Sequence, residues 1–168
     1  MIKNIIAALI LTIGAALLQS TVLSRFVIYI HALPDLTLSI LVYSAYVNGT
    51  MTGQLTGFFS GVLLDFLSSA PLGLNAFVRT LIGAITGIMK DTFYLDFIFL
   101  PMALCAGATI FKALLFFLLH LLFPQTIPYY SLWALTFWIE LGLNTITAPL
   151  LFVLFKLFGP LLAGPKER

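Results

Sequence analysis

The sequence predicts an all-α polytopic membrane protein, a compact bundle of about six transmembrane helices. Two observations lead there. Of 168 residues, 61% are hydrophobic and only 8% charged, a balance no water-soluble surface tolerates. The apolar residues fall in long Leu, Ile, Phe and Val runs broken by glycine, without the strict alternation of a membrane barrel. No hydrophilic stretch is long enough for a separate soluble domain, so residues 1–168 read as a single transmembrane helical domain. A net charge of +2 from so few residues gives no footprint for nucleic acid.

Taken in order, the first segment spans about Ile5 to Leu23, enough for a hydrocarbon core that needs roughly 20 residues. It reads as an uncleaved span, because no small-x-small cleavage site follows it. Ala8, Thr12 and Ala16 give it a small-residue face suited to helix packing. A loop with Arg25, Tyr29 and His31 leads to Pro34 and Asp35, and Asp35 is placed to cap a helix starting at Leu36. That second segment, Leu36 to Val47, is about 18 Å long. It must extend into Asn48 and Gly49, lie in thinned membrane, or be shielded by protein.

From Gly53 to Lys90 the sequence reads as two short helices folded back on each other. Gly53, Gly57, Gly61 and Asp65 recur every fourth residue on one arm, and Arg79, Gly83 and Gly87 on the other. Pro71, Leu72 and Gly73 form the turn. A four-residue step lines side chains along one ridge of a helix. Antiparallel packing centred on Leu72 would set Asp65 opposite Arg79, Gly61 opposite Gly83 and Gly57 opposite Gly87. The expected result is close backbone approach along the seam and an ion pair near the turn.

Lys90, Asp91 and Asp96 mark the next break, with Phe93, Tyr94, Phe97 and Phe99 as an interfacial aromatic group. The fifth segment runs from about Phe97 to Phe123, with Pro101 in its first turn. A sixth follows from about Leu132 to Phe158, where Pro149 should kink the helix and Asn144 to Ala148 should repair the lost bond. Six spans put both termini on one side. With the amino terminus inside, Lys3, Lys90, Lys156, Lys166 and Arg168 gather at the inner face, as the positive-inside rule requires. A five-span arrangement, with the second and third segments merged into one re-entrant unit, is the competing topology.

Ionisable residues at membrane depth cost about 2.5–3.5 kcal/mol each on an insertion scale, so they should be paired or functional. For Asp65 and Arg79 a structural ion pair is preferred over ligand or proton handling. Lys112 and Glu140 lie about 16 and 12 Å from the outer ends of adjacent helices, a possible second intramembrane pair. Cys105 sits in a small apolar run and reads as a buried thiol. His31 and His120 read as interfacial residues, and no cluster has metal-ligand spacing. Phosphate-loop, zinc-protease and serine-nucleophile motifs are missing, so the sequence offers no case for an enzyme and no cofactor.

Three stretches carry a resemblance: QST at Gln19 to Thr21, PDL at Pro34 to Leu36, and GFFSGVLLDFLSSAPLGLNAF from Gly57 to Phe77. Together they resemble MreD, the membrane component of the bacterial rod-shape system, over essentially the whole length. The resemblance implies a non-enzymatic scaffold in the cytoplasmic (inner) membrane that binds MreC, with MreB, RodA and a class B penicillin-binding protein in the same complex regulating lateral peptidoglycan synthesis. It also implies a fold similar to the substrate-binding S components of energy-coupling-factor vitamin transporters. The alternative function is therefore such an S component, for which Asp35, Asp65, Asn75 and Arg79 would line an outward cavity.

Overall fold

The computed structural model describes residues 2–21, 32–68, 70–90, 92, 98–127 and 129–157. The loop with Arg25, Tyr29 and His31, the break with Asp91, Phe93, Tyr94, Asp96 and Phe97, and the tail with Lys166 and Arg168 lie outside those residues. The described residues form six α-helices and no strand: α1 (Ile2–Thr21), α2 (Leu36–Asn48), α3 (Thr50–Leu67), α4 (Leu74–Ile88), α5 (Phe99–Leu122) and α6 (Leu135–Leu157). Of these, α1, α5 and α6 are each long and apolar enough to cross a membrane, while α2 and α4 are shorter apolar helices.

The bundle is organised around α2. Asp35 caps it as its residue type dictates, Oδ1 accepting from the Leu38 amide at 2.9 Å. Every residue from Thr37 to Ala45 is buried, and α2 touches all five other helices. At 13 residues it is about 20 Å long, short of the roughly 30 Å hydrocarbon layer. Protein surrounds it instead of lipid, which answers the length problem. Gly49, at φ 92°, both ends α2 and starts α3; a left-handed backbone there turns the chain back within one residue.

Cross-links between the helices give their directions. Asn4 Nδ2 donates to Asn48 Oδ1 at 2.7 Å and Gln19 Nε2 to the Pro34 carbonyl at 3.1 Å, so α1 runs antiparallel along the whole of α2. Its buried face is Ile5, Ala8, Thr12 and Ala16, and the predicted small-residue stripe is therefore taken up inside the molecule. Parallel to α2 runs α6, with the Asp35 amide bonded to Asn144 and Tyr43 packed against Phe152 and Phe155. Pro149 lies within α6, which continues on both sides of it. Asn144, expected to repair the bond lost there, faces the core instead.

Helices α3 and α4 form the predicted antiparallel hairpin, but its register differs. A Cβ on Gly53 would lie closer than 3.0 Å to the Gly83 carbonyl, one on Gly57 would meet the Arg79 carbonyl, and one on Gly61 the backbone of Ala76. Gly87 faces Thr50. The partner of Gly57 is thus Arg79 rather than Gly87, a slide of about two helical turns. Asp65 is the reason. Its carboxylate receives the Gly73, Asn75 and Ala76 amides, which draws the start of α4 back alongside the last turn of α3. The centre of the hairpin then falls near Ser68, not Leu72. Close backbone contact along a glycine seam survives; the facing pairs do not.

Candidate functional site

One end of the bundle holds a buried polar network at the start of α2. Asp35 is its hub. Arg79 Nη2, from α4, donates to both Asp35 carboxylate oxygens at 3.1 and 3.2 Å and to Thr37 Oγ1 at 2.7 Å. Lys112 Nζ, from α5, donates to Asp35 Oδ2 at 3.0 Å and also to Glu140 Oε1 of α6. Glu140 Oε2 in turn accepts from the Tyr130 hydroxyl at 3.0 Å. Two carboxylates therefore face two cations, and the four charges join four helices.

Neutral groups extend the network. Asn144, one turn beyond Glu140 on α6, accepts the Asp35 amide at 2.7 Å and donates to Thr109 Oγ1 at 3.0 Å. Thr109 Oγ1 in turn donates a hydrogen bond to the Cys105 carbonyl at 2.8 Å. Burial, reinforced by the negative charge of Glu140, pushes the Tyr130 phenol up to about 12. It stays protonated at neutral pH and remains a donor to Glu140.

Asp65 belongs to a separate site. It is buried, and besides the three amides it accepts from the Asn75 side chain at 2.9 Å. A carboxylate there satisfies the free N–H groups of the first turn of α4 and complements the helix dipole. Gly73, at φ 94°, supplies the left-handed turn that aims those amides back; a Cβ at this position would meet nothing, so backbone conformation explains the glycine. The expected Asp65–Arg79 pair is not formed. With the Arg79 backbone against Gly57, its side chain leaves the hairpin seam and reaches toward α2, where Asp35 waits.

The sequence-selected residues thus fall into three groups. Asp35, Arg79, Lys112 and Glu140 are brought together. Asp65, Asn75 and Gly73 form the α4 cap, with Pro71 in the turn. Gly53, Gly57, Gly61, Gly83 and Gly87 line the α3–α4 seam and are buried there. Thr37, Thr109, Tyr130 and Asn144 were not selected, although a signal existed: Glu140 and Asn144 are four residues apart, as are Cys105 and Thr109, so each pair shares a helix face. Asp35 and Arg79 bond each other, as do Asp65 and Asn75, rather than converging on one cavity. His120 closes the turn after α5, its Nδ1 donating to the Ile127 carbonyl at 2.7 Å. Cys105 is buried, and no group of His, Cys, Asp or Glu among the described residues is placed to hold a metal.

Among known proteins, no curated protein and no solved structure matches the chain. The family model for rod shape-determining protein MreD matches residues 2–158. That match runs from the first turn of α1 past the end of α6 and takes in the capped hairpin and the four-charge network alike. An all-helical membrane bundle matched over this length belongs to the MreD family of rod shape-determining proteins.

Proposed function

We propose that the chain is a non-enzymatic scaffold of the bacterial elongation complex: a single helical domain that binds MreC in the cytoplasmic membrane and, with MreB, RodA and a class B penicillin-binding protein, helps control lateral peptidoglycan synthesis. The family match across residues 2–158 carries this reading. The side-chain chemistry supports it, because the charges at membrane depth are answered by one another and by backbone amides, with the buried Arg79 Nη1 lacking a hydrogen-bond partner. Such an arrangement suits a part that must hold its shape while partners dock on it.

The described lysines outside the network, Lys3, Lys90 and Lys156, stand at the end of the bundle opposite Asp35. We place that end, and both termini, in the cytoplasm, as the positive-inside rule favours. Because the glycine grooves of α3 and α4 and the small face of α1 are taken up internally, partner contacts fall on outward apolar positions such as Ile10, Ile85, Ile110 and Ile146, all exposed. The test is photocrosslinking from these four positions in native membranes, with products identified by mass spectrometry. A crosslink to MreC is expected. Capture of a transporter ATPase module, or of no wall-synthesis protein from any of the four, would overturn the assignment.

A further inference from the structure

We infer, resting on the scaffold reading above, that the groove between α4 and α5 docks one apolar transmembrane helix of a partner, crossing by a face of small residues. The groove opens on the outside of the bundle and holds about 230 Å³, below the roughly 300–1,000 Å³ of small-molecule sites. Helix α4 lines it with Ile85, Thr86 and Met89, and α5 with Ala103, Gly107 and Phe111.

Two independent features select a helix as the occupant. Ala103 and Gly107 are one turn apart and both exposed, and the space where a Cβ of Gly107 would stand is open. The chain's own packing does not require this glycine, unlike those of the α3–α4 seam, although glycine weakens a helix relative to alanine. A missing side chain on an outward face lets a second backbone approach closely. Thr86 is the other feature. It is only 5% exposed, yet its hydroxyl makes no hydrogen bond among the described residues. Thr80, Thr109, Thr145 and Thr147 each bond the carbonyl four residues back. Nor is the Thr86 hydroxyl sealed in, as the unbonded ones of Ser44 and Thr56 are; Thr86 lines the groove. A nearly buried donor in an apolar setting calls for an acceptor brought from outside.

An acyl chain brings only methylenes, and it packs over leucine as well as over glycine. A helix brings what the groove lacks, a closely approaching backbone and a hydroxyl or free carbonyl for Thr86. A second copy of this chain fits less well: a two-fold contact sets one patch against itself, and two grooves face to face leave a gap. Depth agrees with a helix. Gly107 stands eight residues beyond Phe99, the start of α5, or about 12 Å along the helix, where hydrocarbon offers no water to a polar group.

The test places a photoreactive residue at Ile85 of the full chain in native membranes and maps the crosslinked peptide by mass spectrometry. The expected product is an apolar span of another membrane protein with two Gly, Ala or Ser residues four apart. Gly107→Leu should abolish that product while the purified chain keeps its thermal midpoint in detergent, because the added side chain meets open space in the chain itself. Ala103→Leu should do the same from one turn away, and it decides the matter if Gly107→Leu fails to fold. Thr86→Val should lower the yield roughly threefold, the worth of one interhelical hydrogen bond. Crosslinking at Ile85 to lipid alone, or to a second copy, overturns the proposal, as does an undiminished product in either folded leucine variant. Capture of MreC from Ile10 or Ile146 with lipid alone at Ile85 would refute the groove and leave the scaffold reading standing. A small-faced span at Ile85 from a protein outside wall synthesis, with no wall-synthesis protein at Ile10, Ile110 or Ile146, would keep the groove and refute the scaffold reading.

Discussion

Asp35 and Asp65 each present a carboxylate to the first turn of a helix, α2 and α4 respectively, and they answer different needs. Asp65 takes only N–H donors, the amides of Gly73, Asn75 and Ala76 and the Asn75 side chain. Replacing it with alanine leaves those amides unmet, and the Ala76 amide, the buried one of the three, alone costs about 1–3 kcal/mol as an unsatisfied buried donor. Asp65→Ala should therefore lower the thermal midpoint in detergent more than Asp65→Asn, which keeps one acceptor oxygen. The exchange Asp65→Arg with Arg79→Asp should not rescue either single change, because the two side chains are not partners. Asp35 instead faces Arg79 and Lys112. Lys112→Met leaves Glu140 without its cation, and removing one member of a buried pair costs about 3–5 kcal/mol. The double change Lys112→Met with Glu140→Gln should be milder than Lys112→Met alone, and a double-mutant cycle on thermal midpoints measures that coupling.

Within the α3–α4 hairpin, glycines matter where two backbones meet. Gly57→Ala and Gly83→Ala would each press a methyl against the carbonyl of the opposite helix. Neither helix can yield locally, so each should destabilise by at least about 1–3 kcal/mol. Gly107, on α5, has open space around its missing Cβ, and there alanine should be neutral or stabilise by about 0.5–1 kcal/mol through the helix backbone alone. Thermal unfolding of the three variants in one detergent separates packing from helix propensity. Equal effects at Gly57 and Gly107 would refute the seam.

Across the whole molecule, the described charged residues fall at two ends. Asp35, Arg79, Glu140 and the α4 cap lie toward one end, where the network ties α2, α4, α5 and α6 together; Lys3, Lys90 and Lys156 lie at the other. With the lysine end in the cytoplasm, Leu72 in the hairpin turn faces outward. Leu72 is 73% exposed and Cys105 1%. A Leu72→Cys variant should thus react with a membrane-impermeant thiol reagent added from outside, against a background of little labelling at Cys105. Labelling only after the inner face is opened would reverse the topology.

Much of this was legible along the chain. Long apolar runs, Pro34–Asp35 before a helix, and glycines at four-residue spacing are local signals, and they specified a helical membrane bundle, its six helices and a tight antiparallel hairpin. The approach of Lys112 to Glu140 could be read from their depths in neighbouring helices. Partner choice was not legible in the same way. Asp35 lies 44 residues from Arg79 and 77 from Lys112, and no spacing rule relates positions on non-consecutive helices. The hairpin register likewise depended on whether Asp65 would prefer a distant guanidinium or the free amides of the next helix. Periodicity fixes which face of each helix is buried; only packing around α2 decides which buried charges meet.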